Sequence, residues 1–347
     1  MLALQLLLYL EFLIELFMKI NTNINMVILD DYHSYFNDMA KDKRLPDEIK
    51  LIVYNNHFKN STELINNISK ANIVVGIRER TKFPEEVINQ LPNLRFLITT
   101  GLKNASYDLE AATKNNIVVS GTLGSGEGPV DLTWGLIISL VRKIHEEDKF
   151  LRAGQWGTHI GPSLTGKTLG LLGFGHIGKL VSKVGLALGM RVIAWSQNLN
   201  DLATKQYGVN YVEKQKLFED SDILSIHTKL SKRTKDLIGE KEISLMKQSA
   251  YIINTSRGPI INEKALVEAL NSRKIAGAAI DTFDEEPLRT NHPLLHTPNT
   301  LLTPHIGYVT KEAYQAYNEG IIDNVIAFLN NNPVRVLNPD VLKKLYD

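Results

Sequence analysis

Three charged residues in the second half of the chain have the types and positions that combined proton and hydride chemistry requires. Arg257, Glu286 and His305 each lie just beyond an apolar, strand-like run. A hydride that moves to or from a carbinol carbon must be matched by a proton on its oxygen, and histidine exchanges a proton near neutral pH. A neighbouring glutamate would hold the ring and favour its protonated form, while an arginine would clamp a carboxylate. Each residue alone is more often structural or solvent-exposed, so the prediction depends on the three together.

These side chains need a scaffold, and the segment that follows Thr168 indicates which one. A strand predicted over Leu169–Leu172 runs into a Gly-x-Gly-x-x-Gly turn, and a helix-like run, Lys179–Leu188, follows it. The first glycine permits the turn, the second lets the backbone approach phosphates, and the third lets helix and strand pack closely. The helix N-terminus attracts an anion. We therefore predict a dinucleotide-binding turn, rather than an ordinary glycine-rich turn, formed by Gly173, Phe174, Gly175, His176, Ile177 and Gly178.

The end of the next predicted strand bears on the choice between NAD and NADP. NAD-binding domains place an acidic residue about 20 positions past the glycines, where it binds the ribose 2′-hydroxyl. Here Ser196, Gln197 and Asn198 follow the strand, and all three are neutral. Without a carboxylate a 2′-phosphate is not repelled, although no arginine follows at once to bind one. The predicted cofactor is NAD or NADP, with NADP favoured.

The composition excludes several classes of protein. The chain has 347 residues, which suggests two domains of about 150 residues each. Its formal net charge is +1 at pH 7, so we predict no nucleic-acid partner. It has no cysteine, which excludes disulfides, thiolate metal sites and a cysteine nucleophile, and which fits a reducing, cytoplasmic location. We predict no metal site.

The first 25 residues differ from the rest of the chain. The run Leu2–Met18 is almost entirely apolar, but Glu11 and Glu15 interrupt it. A secretory signal needs positive charge before its apolar core and small residues at a cleavage site, and neither is present. A membrane span needs about 20 apolar residues. We expect the functional chain to begin near Met26, with residues 1–25 as an N-terminal extension. A membrane anchor is the less favoured alternative.

From Met26 onward, apolar strand-like runs alternate with helix-like runs, which predicts parallel sheets covered by helices. A glycine-rich segment, Gly121–Pro129, separates two such series and is typical of a hinge. A long helical run, about Val130–Ala153, follows it, and the last helix is predicted over Lys311–Leu329. The predicted strands are Val27–Leu29, Leu51–Tyr54, Ile73–Ile77, Leu94–Thr99 and Ile117–Val119 in the first series, and Leu169–Leu172, Arg191–Trp195, Ile223–His227, Tyr251–Asn254, Gly277–Ile280 and Thr300–Thr303 in the second.

From Met26 to its end, the sequence resembles the D-isomer-specific 2-hydroxyacid dehydrogenase family. The family's cofactor fingerprint corresponds to Gly166–Gly178 and its arginine motif to Asn254–Gly258. Its glutamate motif corresponds to Asp281–Pro287 and its histidine motif to Thr303–Gly307. The order and the spacing of the four motifs both agree with the family.

The resemblance implies an α/β protein of two Rossmann-like lobes, each with a doubly wound parallel sheet. A nucleotide-binding lobe, residues 130–310, would be inserted into a flavodoxin-like substrate lobe formed by residues 26–129 and 311–347. The family usually forms homodimers through the nucleotide-binding lobe, and the run Leu132–Ile144 would supply apolar surface for that contact.

The implied reaction is hydride transfer between NAD(P) and a small D-2-hydroxy or 2-keto acid. His305 would be the acid/base, Glu286 its partner, Arg257 the substrate clamp, and Asp281 would hold the nicotinamide carboxamide. The other implied substrate contacts are Arg78, Gly101, Leu102 and Lys103. The other implied cofactor contacts are His227, Thr228, Thr234, Thr255 and Gly307.

The chain departs from the family pattern at three positions. Lys103 replaces a glycine of the substrate loop, where it could widen specificity towards a second anionic group or point to solvent. Ser196 replaces the acidic cofactor residue. Lys229 stands where the family often has proline, and it could meet a 2′-phosphate.

Two other functions stay compatible with these residues. The first is another oxidation on the same scaffold. Formate oxidation needs no acid/base pair, so Glu286 and His305 argue against it, whereas phosphite oxidation is not excluded. The second is a nucleotide-sensing corepressor, a class of protein that shares the fold and keeps the Arg-Glu-His set. Turnover of a 2-keto acid separates an enzyme from such a sensor.

Overall fold

A computed structural model describes residues 24–124 and 126–346 of the chain. The chain divides into two compact units. The second unit is Gly126–Thr310, and the first unit contains the described residues on either side of it. The division falls inside the glycine-rich segment Gly121–Pro129. Of the predicted N-terminal extension, Ile24 and Asn25 belong to the first strand, and the remainder lies outside the described residues.

The first unit contains a parallel five-stranded sheet with the strand order β2-β1-β3-β4-β5. Its buried runs of valine, isoleucine, leucine and phenylalanine suit strands that are covered on both faces. Side chains cap two of its helices, since Asn60 accepts a hydrogen bond from the Glu63 amide and Asp108 accepts one from the Ala111 amide, both at 2.9 Å. The elements are β1 (Ile24–Ile28), β2 (Ile49–Val53), α1 (Ser61–Ile68), β3 (Ile73–Gly76), α2 (Glu85–Ile88), β4 (Phe96–Thr99), α3 (Leu109–Lys114) and β5 (Val118–Gly121), with a 3₁₀ helix at Tyr35–Lys41.

The second unit contains a parallel seven-stranded sheet with the order β12-β11-β10-β9-β6-β7-β8. Its first three strands lie in the order 3-2-1 and the later ones on the other side, which is the doubly wound arrangement of dinucleotide-binding domains. Its strands are β6 (Thr168–Leu172), β7 (Arg191–Trp195), β8 (Asn210–Tyr211), β9 (Ile223–Ile226), β10 (Tyr251–Asn254), β11 (Gly277–Ile280) and β12 (Thr300–Leu302). Its helices are α4 (Gly128–Val141), α5 (Ile144–Arg152), α6 (His176–Ala187), α7 (Asp201–Lys205), α8 (Lys214–Asp220), α9 (Glu240–Leu245) and α10 (Glu263–Asn271), with 3₁₀ turns at Gly258–Ile260 and Pro293–His296.

These two sheets confirm the predicted α/β fold class, and two details correct the predictions. The single helix predicted over Val130–Ala153 is wrong: the chain forms α4 and α5, which are separated by Lys143 in the left-handed region with φ of +57°. The short edge strand β8 was not predicted. Among the described residues, no helix is long and apolar enough to cross a membrane.

The last part of the chain returns to the first unit. After α11 (Lys311–Leu329), and before α12 (Asp340–Tyr346), an extended segment pairs with the outer edge of β5 through an antiparallel bridge between Ser120 and Val336. The buried Asn338 side chain completes this pairing, because it accepts from the Val119 amide at 2.8 Å and donates to the Ile117 carbonyl at 2.9 Å. The edge strand of the sheet is therefore covered by residues far away in sequence.

We predict that Asn338→Ala destabilises the first unit. The change leaves the buried amide of Val119 and carbonyl of Ile117 without partners, so the free energy of unfolding should fall by about 2–4 kcal/mol. Urea unfolding followed by circular dichroism measures this. The control is Asn332→Ala at an exposed position, where a change below about 0.5 kcal/mol is expected. Equal stability of the two variants would contradict the assigned role of Asn338.

Candidate active site

The three glycines of the predicted dinucleotide turn meet three different environments. Gly173 has φ of +103°, and a Cβ there would lie 2.7 Å from the backbone of His227 and Thr228. A Cβ on Gly178 would lie 2.5 Å from the carbonyl oxygen of Gly173. A Cβ on Gly175 would meet no protein atom within 4 Å. Packing therefore requires the first and third glycines, whereas the second keeps an exposed surface clear.

That exposed surface has the features needed to hold a pyrophosphate. Gly175 is the N-cap of α6, and within the described residues no side-chain cap is formed at this helix start. Free N–H groups and the helix dipole attract a negative charge at this place. Phe174 is buried against Tyr207, with ring centroids 5.6 Å apart, while Ile177 is half-buried and His176 is exposed. The turn therefore fits the phosphates of a dinucleotide, with Phe174 serving mainly to anchor the turn.

Polar and basic residues follow the strands on both sides of β6. After β7, Ser196 is half-buried and Gln197 and Asn198 are exposed. After β9, Lys229 begins an exposed basic loop that also contains Lys232, Arg233 and Lys235. Only Lys229 of these four basic residues was predicted from the sequence. The other three form a cluster of basic residues in the sequence, but the sequence did not indicate which kind of loop carries them.

Two of the predicted cofactor residues make local hydrogen bonds. The hydroxyl of Thr234 accepts from the Ser231 amide at 2.7 Å and donates to the Lys229 carbonyl at 2.6 Å, so it shapes the basic loop. The Thr255 hydroxyl lies 2.8 Å from the Thr133 hydroxyl. These contacts use part of the hydrogen-bonding capacity of both side chains.

The backbone of His227 and Thr228 packs against Gly173 of the glycine turn. The Nε2 atom of His227 lies 2.8 Å from the Ser225 hydroxyl, and burial lowers the pKa of His227 to about 4. The imidazole is therefore uncharged at neutral pH. The Thr228 carbonyl accepts a hydrogen bond from the Ser256 hydroxyl at 2.5 Å, which ties the end of β9 to the turn after β10.

His305 and Glu286 form a close pair in the second unit. The Nδ1 atom of His305 lies 2.6 Å from Oε2 of Glu286. The other carboxylate oxygen, Oε1, accepts a hydrogen bond from the Phe283 amide at 2.9 Å, which orients the glutamate. Both side chains are only partly exposed, at 16% for His305 and 26% for Glu286. This pairing leaves Nε2 of His305 as the nitrogen that can exchange a proton with a ligand.

The turn that carries His305 is held by the buried carboxylate of Asp281. Its Oδ1 accepts from the Thr303 hydroxyl at 2.6 Å and from the Ile306 amide at 2.8 Å, and its Oδ2 accepts from the Gly307 amide at 3.0 Å. Burial raises the pKa of Asp281, and these three hydrogen bonds act in the opposite direction. His305 itself has φ of +52°, a conformation that such anchoring maintains.

Arg257 lies on a turn that buried neighbours fix. The fully buried Asn254 donates to the Arg257 carbonyl and accepts from the Ser256 amide, each at 3.0 Å. Nη1 of Arg257 donates to the Ser256 carbonyl at 2.7 Å. A Cβ on Gly258 would lie 2.1 Å from the carbonyl carbon of Phe283, so this glycine lets the arginine turn approach the glutamate loop. The structure thus brings all three candidate catalytic residues onto adjoining loops of one unit.

The predicted substrate residues of the first unit lie beyond the carboxyl ends of β3 and β4. Arg78, with φ of +55°, donates from Nη1 to the Thr100 carbonyl at 3.2 Å. The amide of Gly101 donates to the Thr122 hydroxyl at 3.1 Å, whereas the amides of Leu102 and Lys103 make no hydrogen bond within the described residues. The Lys103 side chain is exposed. The amides of Leu102 and Lys103 are therefore available in this loop for an anionic ligand.

Sequence reasoning missed the roles of two side chains at these sites. Asn104 is buried and donates to the Arg78 carbonyl at 2.7 Å and to the Thr99 hydroxyl at 2.9 Å, so it braces the loop that follows β4. Tyr308 stands edge-to-face with His305, with ring centroids 5.3 Å apart. Both lie next to predicted motif residues, and that proximity was the only available signal.

No group of three or more histidines and carboxylates within residues 24–124 and 126–346 could hold a metal ion.

We predict opposite effects for substitutions of two glycines in the dinucleotide turn. Gly175→Val should lower the free energy of unfolding by less than about 1 kcal/mol, because a Cβ here meets no protein atom and only the helix N-cap is made less favourable, and it should weaken binding of NADH or NADPH at least about tenfold. Gly178→Ala should lower the free energy of unfolding by about 1–3 kcal/mol through overpacking. Thermal unfolding without cofactor and calorimetric titration with each cofactor measure both effects. Unweakened cofactor binding by Gly175→Val would overturn the assignment of the turn.

Comparisons with known proteins agree with this geometry. Residues 134–307 match the family model described as the NAD binding domain of D-isomer specific 2-hydroxyacid dehydrogenases. A glyoxylate reductase of Thermococcus litoralis is 38% identical over 272 residues, which cover 75% of this chain and 82% of the relative. A D-3-phosphoglycerate dehydrogenase of Methanocaldococcus jannaschii is also 38% identical, over 73% of this chain and 49% of the relative.

The solved structures give the same result for the fold. An oxidoreductase structure from Ralstonia solanacearum superposes with a TM-score of 0.86 at 33% identity, covering 92% of this chain and 98% of that one. The matched region of the family model includes the glycine turn and the three candidate catalytic residues. The chain belongs to the D-isomer-specific 2-hydroxyacid dehydrogenase family and is an enzyme that uses a nicotinamide cofactor.

Proposed function

We propose that the protein reduces a small 2-keto acid to the D-2-hydroxy acid, and catalyses the reverse reaction, with Arg257, Glu286 and His305 as its catalytic residues. The observation that carries this proposal is the 2.6 Å pair of His305 and Glu286 on a turn fixed by the buried Asp281. Such a pair delivers or removes one proton at a defined place, which is what a carbonyl reduction requires of the protein.

Each catalytic residue has a separate task in this proposal. A reduced nicotinamide, when bound, would supply the hydride for the new C–H bond at C2. His305 donates its Nε2 proton to the C2 oxygen as the carbonyl π bond breaks, and Glu286 stabilises the imidazolium before the transfer. The Arg257 guanidinium polarises the carbonyl and holds the carboxylate of the substrate. The reverse reaction returns the proton to His305.

The first unit supplies the groups that we assign to the substrate carboxylate. The free amides of Leu102 and Lys103 are directed donors of the kind that bind carboxylates, and Arg78 adds a positive charge. The similarity to glyoxylate reductases favours a 2-keto acid of two or three carbons. We assign the cofactor to the second unit, because the matched family model is an NAD binding domain.

For the cofactor we propose NADP in preference to NAD. Ser196, Gln197 and Asn198 place no carboxylate at the end of β7. The exposed basic loop that begins at Lys229 follows β9, and the neighbouring His227 and Thr228 lie against Gly173. Basic side chains near the turn favour the extra negative charge of a 2′-phosphate.

We also propose a homodimer formed through the second unit. Most of α4 is buried, so within the run Leu132–Ile144 the large apolar side chains that are exposed are those of Ile138, at 36%, and Ile144, at 51%. The following segment exposes large apolar side chains, with Trp156 at 89% and Ile160 at 104% exposure. His159 contacts Glu147 at 2.8 Å and holds this segment against α5. An ordered, exposed apolar segment is typical of a protein–protein interface.

The catalytic assignment predicts a selective loss of turnover. His305→Asn should lower kcat for glyoxylate reduction by about 10²- to 10⁴-fold while cofactor binding persists, because the proton donor is removed. Glu286→Gln should cause a smaller fall. Steady-state assays with a panel of 2-keto acids and both cofactors measure this, with His296→Asn at an exposed position as the control. No turnover of any 2-keto acid by the unmodified protein, together with tight cofactor binding, would favour a nucleotide sensor or phosphite oxidation instead.

The cofactor assignment predicts that Ser196→Asp changes the preference between the two cofactors. The new carboxylate repels a 2′-phosphate and can bind a ribose 2′-hydroxyl, so KM for NADPH should rise at least about tenfold and KM for NADH should fall. Ser196→Ala, which adds no charge, should affect both cofactors alike. A preference for NADH in the unmodified protein would contradict the NADP proposal.

The dimer proposal predicts a molar mass of two chains in solution, measured by light scattering. Trp156→Asp should reduce the mass to that of one chain, because a buried unpaired charge is strongly unfavourable at an interface. Trp156→Phe, which stays apolar, should remain dimeric. A single-chain mass for the unmodified protein would rule out the dimer.

A further inference from the structure

The seven-stranded sheet of the second unit has a cavity at the edge opposite to the catalytic motifs. Its volume is about 140 Å³, and every residue that lines it belongs to the second unit. Lys167, Asp222 and Ala276 directly precede β6, β9 and β11, Tyr251 begins β10, and all four line the cavity. These four strands are neighbours in the sheet, and the glycine turn and the catalytic motifs follow the other, carboxyl ends of the strands. We call this space the amino-edge cavity, and it is separate from the proposed catalytic site.

The floor of the amino-edge cavity is apolar. Val141, the last residue of α4, and Ile223, the first residue of β9, are each 2% exposed, and the half-buried Leu164 lines the cavity with them. Tyr251 is paired with Ile223 in the register of β10 and β9, so the two side chains lie on the same face of the sheet. An apolar cavity of about 150 Å³ holds a molecule of the size of benzene. The amino-edge cavity therefore has room for a compact apolar body of that size.

Hydroxyl groups line the rest of the amino-edge cavity. Those of Ser163, Ser249 and Tyr251 make no hydrogen bond with any described residue, and both serines are exposed. Burial raises the pKa of Tyr251, and so does the charge of Glu146, which is itself paired with Lys143 at 2.8 Å. The Tyr251 hydroxyl therefore keeps its proton at neutral pH. All three hydroxyls can donate a hydrogen bond to a ligand.

The cavity carries one positive charge that no carboxylate balances. The only carboxylate in its lining is that of Asp222, whose Oδ1 accepts from Nζ of Lys247 at 2.9 Å and whose Oδ2 accepts from the Thr168 amide at 2.8 Å. Lys247 therefore neutralises Asp222. The ammonium group of Lys167 is exposed and forms no ion pair within residues 24–124 and 126–346. It is thus available to bind a single negative charge.

These features together restrict the kind of molecule that fits. A phosphate or a dicarboxylate brings two charges, and one ammonium group cannot compensate for the water that both would lose against an apolar floor. A wholly apolar molecule would cover polar groups without giving them a partner, which is also unfavourable. One carboxylate on a compact apolar body satisfies both the floor and the polar groups.

We propose that the amino-edge cavity is a second ligand site, which binds a small monocarboxylic acid whose apolar body has about the size of a benzene ring. The apolar body lies against Val141, Leu164 and Ile223. The carboxylate accepts hydrogen bonds from Lys167 and from the hydroxyl groups of the lining. The site is distinct from the one that we assign to the 2-keto acid, and the inference does not depend on the proposed reaction.

The test is a calorimetric titration of the full chain with benzoate as the probe. Benzoate should bind saturably at one site per chain. Acetate lacks the apolar body, benzyl alcohol lacks the charge and phenyl phosphate carries more than one charge, so each should bind at least about tenfold more weakly.

Three variants at exposed positions locate the bound benzoate. Lys167→Gln should weaken benzoate binding about tenfold, the scale of a hydrogen bond to a charged group, and leave the weaker binding of benzyl alcohol within about twofold. Ser249→Trp, which places a bulky side chain in the cavity, should remove the binding of both. Lys274→Gln, which lies outside the lining, is the matched control and should bind both molecules like the unmodified protein. Circular dichroism checks that each variant is folded.

A carboxylate probe can also bind at the proposed catalytic site, so the titration is repeated with Arg257→Gln. Benzoate binding that persists in Arg257→Gln and weakens in Lys167→Gln supports the amino-edge cavity. The reverse pattern would place benzoate at the catalytic site and overturn the inference. Absence of saturable benzoate binding, or equal binding of acetate, would overturn it as well. Turnover of 2-keto acids is not part of this test, so the proposed function stands or falls separately.

Discussion

The catalytic part of the structure depends on the hydrogen bonds by which the buried Asp281 carboxylate holds the turn that carries His305. Burying a carboxylate is costly unless hydrogen bonds compensate for the lost water. Here two backbone amides and the Thr303 hydroxyl do so, and the amides belong to the residues directly after His305. The same contacts that stabilise the charge therefore define where the imidazole lies. Glu286 orients the imidazole ring of His305. A hydrogen bond from the Phe283 amide in turn orients Glu286.

Functional groups from separate sequence motifs lie close together because the strands of each sheet are parallel. All carboxyl ends of a parallel sheet lie at the same edge, so loops far apart in sequence become neighbours there. In the second unit this brings together the glycine turn, the arginine turn and the histidine turn, and Gly173 and Gly258 permit close backbone approaches. In the first unit the same rule places Asp30 against Arg80 and Thr81. Both units achieve this with buried polar side chains, such as Asn254 and Asn104, that hold loop backbones in place.

The sequence predicted the two-sheet fold well, because long apolar runs and glycine spacing are local signals. It did not predict β8, which has two residues and no apolar run. The break at Lys143 was missed because neither glycine nor proline marks it. An apolar helix can face its own core or a partner, so periodicity could not show that α4 is mostly buried. The bracing roles of Asn104, Asn254 and Asp281 depend on contacts between distant segments, and a single sequence carries no signal for these.

The pairing of the C-terminal segment with β5 has a consequence for synthesis on the ribosome. The second unit is complete once residue 310 has emerged, whereas the first unit still lacks α11 and the segment that covers the edge of β5. Units generally fold when their whole sequence is available. The nascent chain therefore carries a finished second unit and an open-edged first sheet for the time needed to translate its last residues. Exposed strand edges favour pairing with other chains, so during this interval the first sheet can pair with other chains along an edge that the finished protein covers.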